Sequence, residues 1–165
     1  MEDPLPSVET AVMIWRVTRE PALTDEAARL LATVPEWFGL PEATQSYVDE
    51  TKTLENWAVR VQGRTVIGLA LTKWHFGHVC ELELMVVDRA HHGRGVGTAL
   101  VQAVENDARR RGAKLRKVKT LGASHPDPHY ARTRHFYERM GFLSLEETDL
   151  WGEENPCLFM VKPVA

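Results

Sequence analysis

The chain has 165 residues, 44% hydrophobic and 26% charged, with 20 basic against 23 acidic side chains and a formal net charge of −3. This fits one folded domain with a sizeable core and excludes disorder throughout. The missing basic excess argues against wholesale nucleic-acid binding, and no apolar run reaches the roughly 18 residues of a membrane span.

Residues 1–10 read as a frayed lead-in, with Pro4 and Pro6 blocking regular structure, and 11–165 as a single domain. This acidic start lacks the apolar stretch of a signal peptide. Two cysteines, Cys80 and Cys157, are too few for a disulfide framework, so the expected setting is a reducing cytoplasm. Ala11 to Arg19 reads as a first strand. Thr24 as N-cap opens a helix through Ala32, and Pro35 prevents its continuation. The connector Val34 to Thr44 carries Trp37 and Phe38, and a short helix follows from Glu42 to Asp49. Three strands come next: Trp57–Gln62, Thr65–Thr72 and Val79–Val87, with turns at Gly63-Arg64 and His75–Gly77. A glycine-rich loop, His91 to Gly97, leads into a helix from Thr98 to Arg111. Its Leu100, Val101, Val104 and Ala108 share one face, and Gly112 stands at the C′ position. Strand Leu115–Thr120, a polar loop Gly122–Pro128, helix Tyr130–Met140 and strands Phe142–Thr148 and Pro156–Val164 complete the order β-α-α-β-β-β-α-β-α-β-β. That order implies a mixed α/β sheet covered by helices.

The chemistry concentrates in MVVDRAHHGRGVGTAL, residues 85–100. Strand, turn, Gly93-Arg94-Gly95-Val96-Gly97 and helix follow in sequence. Glycines let backbone approach an anion, and the helix start offers unpaired N–H groups with a positive dipole end. Together they make a pyrophosphate cradle, to which Arg94 can add charge-assisted hydrogen bonds. A P-loop is excluded because no Lys-Ser/Thr pair follows. A dinucleotide fingerprint fails because Leu100 takes its third small position and no acidic residue ends the next strand. The preceding strand, in strict alternation, would put Glu81, Glu83, Met85 and Val87 on one face and Cys80, Leu82, Leu84 and Val86 on the other. From Glu81 to Val87 it spans about 20 Å.

The run His92-Gly93-Arg94-Gly95-Val96-Gly97 resembles the coenzyme A loop, Q/R-x-x-G-x-G/A, of the GNAT superfamily of N-acetyltransferases, with His92 at the Gln/Arg position. ARTRHFYERMGF, Ala131 to Phe142, is similar to that family's helix ending Y-x-x-x-G-F, and Val79 to Phe142 matches in order and spacing. The stretch from Val118 to Phe142 is also similar to a bacterial branch of the family. The resemblance implies a mostly antiparallel sheet with helices on both faces and a splay between the fourth and fifth strands. It implies an acyl-CoA N-acyltransferase using acetyl-CoA on a primary amine of a small molecule or peptide, by direct transfer in a ternary complex. His92 to Thr98 would hold the pyrophosphate, and the backbone of Met85, Val86 and Val87 the pantetheine.

Amine acetylation needs a base, because an alkylamine is protonated at neutral pH, and an acid for the leaving thiolate. By the resemblance, Glu81 is the base, with Glu83 in reserve on the same face and a water relay favoured over direct contact. Tyr137 is the acid near the sulfur. Many members carry Asn seven residues before this tyrosine; here it is Tyr130. Trp37, Phe38, Glu83 and His125 are candidates for the acceptor site, against core packing for the two aromatics. His75 with His78, and His125 with His129, lack partners for a metal, so no metal is expected. Cys80 reads as core. The cluster Arg109, Arg110, Arg111, Lys114, Arg116, Lys117 and Lys119 reads as a solvated helix end or a phosphate contact. The expected partners are therefore an amine acceptor, with neither nucleic acid nor membrane, and a homodimer as the default oligomer. The rival function is an acyl-CoA-binding sensor or partner module without catalysis.

Overall fold

A computed structural model describes residues 14–165. The lead-in 1–10, and Ala11 to Met13 of the expected first strand, lie outside the described residues. The elements are β1 (Val17–Glu20), α1 (Thr24–Ala32), α2 (Pro41–Glu50), β2 (Glu55–Val61), β3 (Thr65–His75), β4 (Val79–Val87), α3 (Val96–Arg110), β5 (Leu115–Leu121), α4 (Pro128–Arg139), β6 (Leu143–Thr148) and β7 (Cys157–Pro163). The strands form one sheet ordered β1-β2-β3-β4-β5-β7-β6, antiparallel at every pairing except β4–β5. This is the mixed, mostly antiparallel architecture expected.

Two apolar layers hold the helices to the sheet. On one face Ala27, Leu30 and Leu31 of α1 pack with Val66, Leu69, Leu71, Leu84 and Val86. On the other, Val96, Leu100, Val101, Val104 and Ala108 of α3 pack with Ile67, Ala70, Cys80, Leu82 and Val118, joined by Tyr137 and Phe142. The helical spacing seen in α3 thus becomes its buried face. Gly68 of β3 lets the start of α3 sit close to the sheet, since a Cβ there would meet Val96 Cγ1 at 2.6 Å.

Several boundaries move for identifiable reasons. β1 starts at Val17 rather than Ala11; Ile14 to Arg16 carry no strand pairing, and the Trp15 indole donates instead to the Arg94 carbonyl at 2.8 Å. Thr24 is the first helical residue rather than the cap, and its hydroxyl pairs with that of Thr51 at 2.8 Å. α3 begins at Val96, two residues before the expected Thr98, because Gly95 adopts φ +83° and takes the cap position. α4 begins at Pro128, capped by the Asp127 carboxylate, which accepts from the N–H groups of His129 and Tyr130. The Asp-Pro pair is a readable start signal.

The consequential difference lies in β4. Leu71 pairs with Leu84, but Thr72 pairs with Leu82, so Glu83 is an extra residue, a β-bulge. Strict alternation is therefore wrong across it. Cys80 and Leu82 face the α3 layer together with Met85 and Val87, whereas Leu84 and Val86 face the α1 layer. One inserted residue exchanges the faces of everything beyond it. The parallel ladder joins Val79–Leu82 to Leu115–Val118 and goes no further, although both strands continue. β4 and β5 thus part at the bulge, giving the splay.

Deleting Glu83 would leave every other β4 side chain on its present face. We expect this variant to fold cooperatively and to extend β4–β5 amide protection in hydrogen exchange beyond Leu82. Protection that stops at Leu82 as in the parent would show that the bulge does not open the sheet.

Candidate active site

A cleft of about 760 Å³ follows the opening between β4 and β5. Its floor is β4 from Leu82 to Val87. One end is the turn from His91 to Thr98, one wall is α4, and the connector bearing Trp37 and Phe38 covers it, with Tyr47 and Trp151 near the other end. The structure therefore gathers Met85, Val86, Val87, His92, Gly93, Gly95, Val96, Gly97, Thr98, Trp37, Phe38, Glu83 and Tyr137 around one space. Arg94, Glu81 and His125 do not line it. Arg94 turns its carbonyl to Trp15, and His125 sits in the loop before α4.

The glycine turn has the form an anion requires. Gly93 and Gly95 adopt φ +74° and +83°, with open space where a Cβ would stand. The first helical bond of α3 runs from the Ala99 N–H to the Gly95 carbonyl. The amides of Val96, Gly97 and Thr98 therefore precede the ladder and point out of the helix end. His92 Nε2 lies 2.8 Å from the Val87 carbonyl oxygen, so that ring ties the turn to β4 instead of reaching for a phosphate.

Glu81 and Glu83 differ because of the bulge. Glu81 stands inside the closed ladder, opposite Lys117, and is 1% exposed. His75 Nε2 is 2.7 Å from its Oε1, and Lys119 Nζ is 3.2 Å from its Oε2. Burial raises its pKa, but the His75 hydrogen bond with Lys119 and Lys117 prevails and lowers it overall. Glu83, the first residue past the ladder, reaches the cleft, with Lys119 Nζ 3.3 Å from its Oε2. Burial dominates there and holds its carboxyl above the ordinary range, the charge of Glu81 adding to the effect against Lys119. Glu50 is raised as well, by burial and by Glu83.

Tyr137 is 7% exposed, edge-on to Phe136 and Phe142 at centroid distances of 5.3 and 5.6 Å. Burial raises its phenol pKa, opposed by the charge of Arg116. It stays a neutral hydrogen-bond donor at working pH. Cys80 is buried, its thiol pushed up to about 11, as suits a core residue. Among the described residues no group of three or more His, Cys, Asp or Glu side chains could hold a metal ion, and no helix is long and apolar enough to cross a membrane.

A family model described as the acetyltransferase (GNAT) family matches residues 20–142, most of the chain. The chain belongs to the GNAT family of acetyltransferases. Solved structures agree in fold. A GNAT-family protein from Desulfovibrio desulfuricans superposes with a TM-score of 0.76 at 22% identity, covering 92% of this chain and 100% of its own. An aminoglycoside 6′-N-acetyltransferase complexed with coenzyme A gives 0.69 at 20%, covering 93% and 98%. The ribosomal-protein-S18-alanine N-acetyltransferase of Escherichia coli gives 0.69 at 16%, covering 92% and 95%. At such identities the likeness establishes the fold alone. No curated protein matches the chain. GNAT membership carries acyl transfer in general, and the cleft is where this chain's loop, splayed strands and Tyr137 meet.

For several lining residues the sequence marks the position but not the contact. Tyr130, at the place of the GNAT asparagine, donates its hydroxyl to the Trp37 carbonyl at 2.5 Å. The Trp37 indole lies 3.2 Å from the His129 carbonyl and 3.1 Å from the Thr133 hydroxyl oxygen. These bonds pin the connector onto α4, across the cleft. Lys119 belonged to a basic run, most of which is spent on partners: Arg111 on Glu55 and Asp107, Arg116 on Glu105, Lys119 on the two glutamates.

Gly95→Val puts a β-branched residue at φ +83°, where the strain is about 1–2 kcal/mol if the turn is kept. We expect calorimetry to show loss of coenzyme A binding with the far-UV circular dichroism unchanged. Unaltered affinity would free the turn from the assignment.

Proposed function

We propose that the protein is an acyl-CoA N-acyltransferase moving an acetyl group from acetyl-CoA to a primary amine of a small molecule or peptide, by direct transfer in a ternary complex. The observation that carries this reading is the β4–β5 opening, which starts beside a cleft-facing carboxylate and runs to a helix N-terminus with free amides. The amides of Val96 to Thr98 would hold the pyrophosphate, and the freed edge of β4 at Met85 to Val87 would bond the pantetheine amides as an added strand. The bound thioester supplies the activated acyl group.

The chain's own groups then divide the proton work. The family resemblance favours Glu81 as base. Its burial in the ladder, paired with His75 and Lys119, supports instead a positioning role, with Glu83 as the base. A raised carboxyl pKa makes Glu83 the better proton acceptor, directly or through water. Glu50 and Glu83 would also give a cationic amine a favourable field, and Trp37, Phe38, Tyr47 and Trp151 would surround its apolar part. Tyr137, held neutral, donates a hydrogen bond to the departing sulfur, which at about 8.5 is already a tolerable leaving group.

Thiol release from acetyl-CoA against an amine panel tests the reading. Coenzyme A binding without turnover on any amine would favour a sensor module.

Tyr137→Phe keeps the ring in the core and removes only the hydroxyl. Turnover should fall by roughly 10²–10⁴ with coenzyme A affinity intact; an unchanged kcat would take Tyr137 out of the chemistry.

In the ternary complex kcat should fall as pH drops through the Glu83 pKa, which lies above the ordinary carboxylate range. Glu83→Gln should abolish that acidic limb along with most activity. Glu81→Gln removes a negative neighbour and releases Lys119 toward Glu83, so the limb should persist and move to lower pH. A limb that survives Glu83→Gln but vanishes with Glu81→Gln would reverse the two roles.

A further inference from the structure

Glu81 is buried in the closed ladder and does not line the cleft, yet it is held from two sides. Its outer partner is His75, with Nε2 2.7 Å from Oε1, and its inner partner is Lys119, with Nζ 3.2 Å from Oε2. The same ammonium lies 3.3 Å from Oε2 of Glu83. Resting on the acyl-transfer reading above, in which Glu83 is the base, we propose that His75 is a positioning residue for Glu83: through Glu81 it decides how much of the Lys119 ammonium is left for the cleft carboxylate.

Sheet register builds this chain of groups. The β3–β4 pairing sets His75 opposite Val79 and Lys73 opposite Glu81, so these side chains leave one face and His75 meets Glu81 on the diagonal. The parallel pairing sets Glu81 beside Lys117, and Lys119 follows two residues on, on the same face. Lys119 stands just past Val118, the last residue of that ladder, and so reaches both the closed part and the opening. The His75 side chain is 31% exposed, against 1% for Glu81 and 17% for Lys119. The chain therefore runs from solvent through the interior to the cleft.

An ammonium between two carboxylates divides according to what else each of them holds. Ionised Glu81 only accepts, so the facing His75 nitrogen carries a proton. With Oε1 satisfied from outside, Glu81 can share Lys119. Without His75, a buried oxygen would lack its donor, and Glu81 would draw Lys119 in and away from Glu83. Glu83 would then hold its proton more tightly. A charged His75 acts in the opposite sense, meeting the Glu81 charge from outside and turning Lys119 toward Glu83. An ordinary imidazole gains that charge near pH ~6.5.

The other charged groups facing the chain are Lys73 of β3, Lys117 of β5, with Nζ 3.8 Å from Glu81 Oε1, and Glu50 of α2. Tyr47 of α2 and Cys157 of β7 are near as well, and burial pushes both up, away from ionisation. Among the described residues, Lys119 alone forms ion pairs with both glutamates. It is the group through which the two communicate.

The test compares the full-length parent with His75→Phe, His75→Gln, Glu81→Gln and His75→Phe/Glu81→Gln, each checked for folding by circular dichroism. Two readings are taken: the Glu83 carboxyl titration by carbon-13 NMR, assigned by its loss in Glu83→Gln, and the acidic limb of kcat. His75→Phe should raise the Glu83 midpoint by about half a pH unit or more. His75→Gln keeps a neutral donor and should return it most of the way. In the Glu81→Gln background His75→Phe should move nothing, because the chain is already cut. An unmoved midpoint in His75→Phe overturns the proposal, as does a shift that survives in the double variant. Nitrogen-15 NMR of the parent gives a reading that needs no variant: the neutral His75 ring should carry its proton on Nε2, and a proton on Nδ1 overturns the chain. A Glu83 midpoint that moves as expected while the acidic limb stays in place supports the coupling to His75 and removes Glu83 as the base.

Discussion

The site depends on one extra residue in one strand. Glu83 interrupts the β4 ladder with β3, turns the strand, and ends its pairing with β5 at Leu82–Val118. The same insertion keeps both faces of β4 apolar where helices cover them, with Cys80 and Leu82 against α3 and Leu84 and Val86 against α1. It also leaves a carboxylate at the mouth of the gap. A regular strand would place no carboxylate at a branch point, because there would be no branch. Backbone groups that lose strand partners need others, from water or from a ligand.

The charges below the gap follow from that geometry. Where the ladder is closed, Glu81 has no access to the cleft and is paired with His75, Lys117 and Lys119. Where it opens, Glu83 shares Lys119 but keeps a side facing the cleft. Two carboxylates two residues apart thereby acquire opposite pKa shifts, from hydrogen bonding in one case and burial in the other. Such divergence lets one group stay ionised and fixed while its neighbour exchanges a proton.

Contacts distant in sequence hold the walls. Trp15 fastens the glycine turn through the Arg94 carbonyl, Tyr130 and Trp37 clasp the connector to α4, and Gly68 admits the end of α3. Two of these reach the turn's own side chains: Trp37 meets the His92 ring edge-on at 5.8 Å, and Gly68 lies under Val96. Pre-set donors are worth more than donors that must reorganise when charge arrives.

Local pattern in the chain was enough for the order of elements, the apolar face of α3 and the glycine turn, because periodicity, capping and φ preferences act over a few residues. The family's helix motif singled out Tyr137, and the connector's place in the chain singled out Trp37 and Phe38; all three line the cleft. The bulge was not legible: Cys80 to Val87 reads as unbroken alternation, and the interruption exists only in register against β3. The assignment of Glu81 and Glu83 to different environments, the reach of Lys119 and the Tyr130–Trp37 clasp were likewise decided by tertiary structure. Each depends on which segments lie side by side, and that is set by packing two apolar layers on one twisted sheet rather than by any local run of residues.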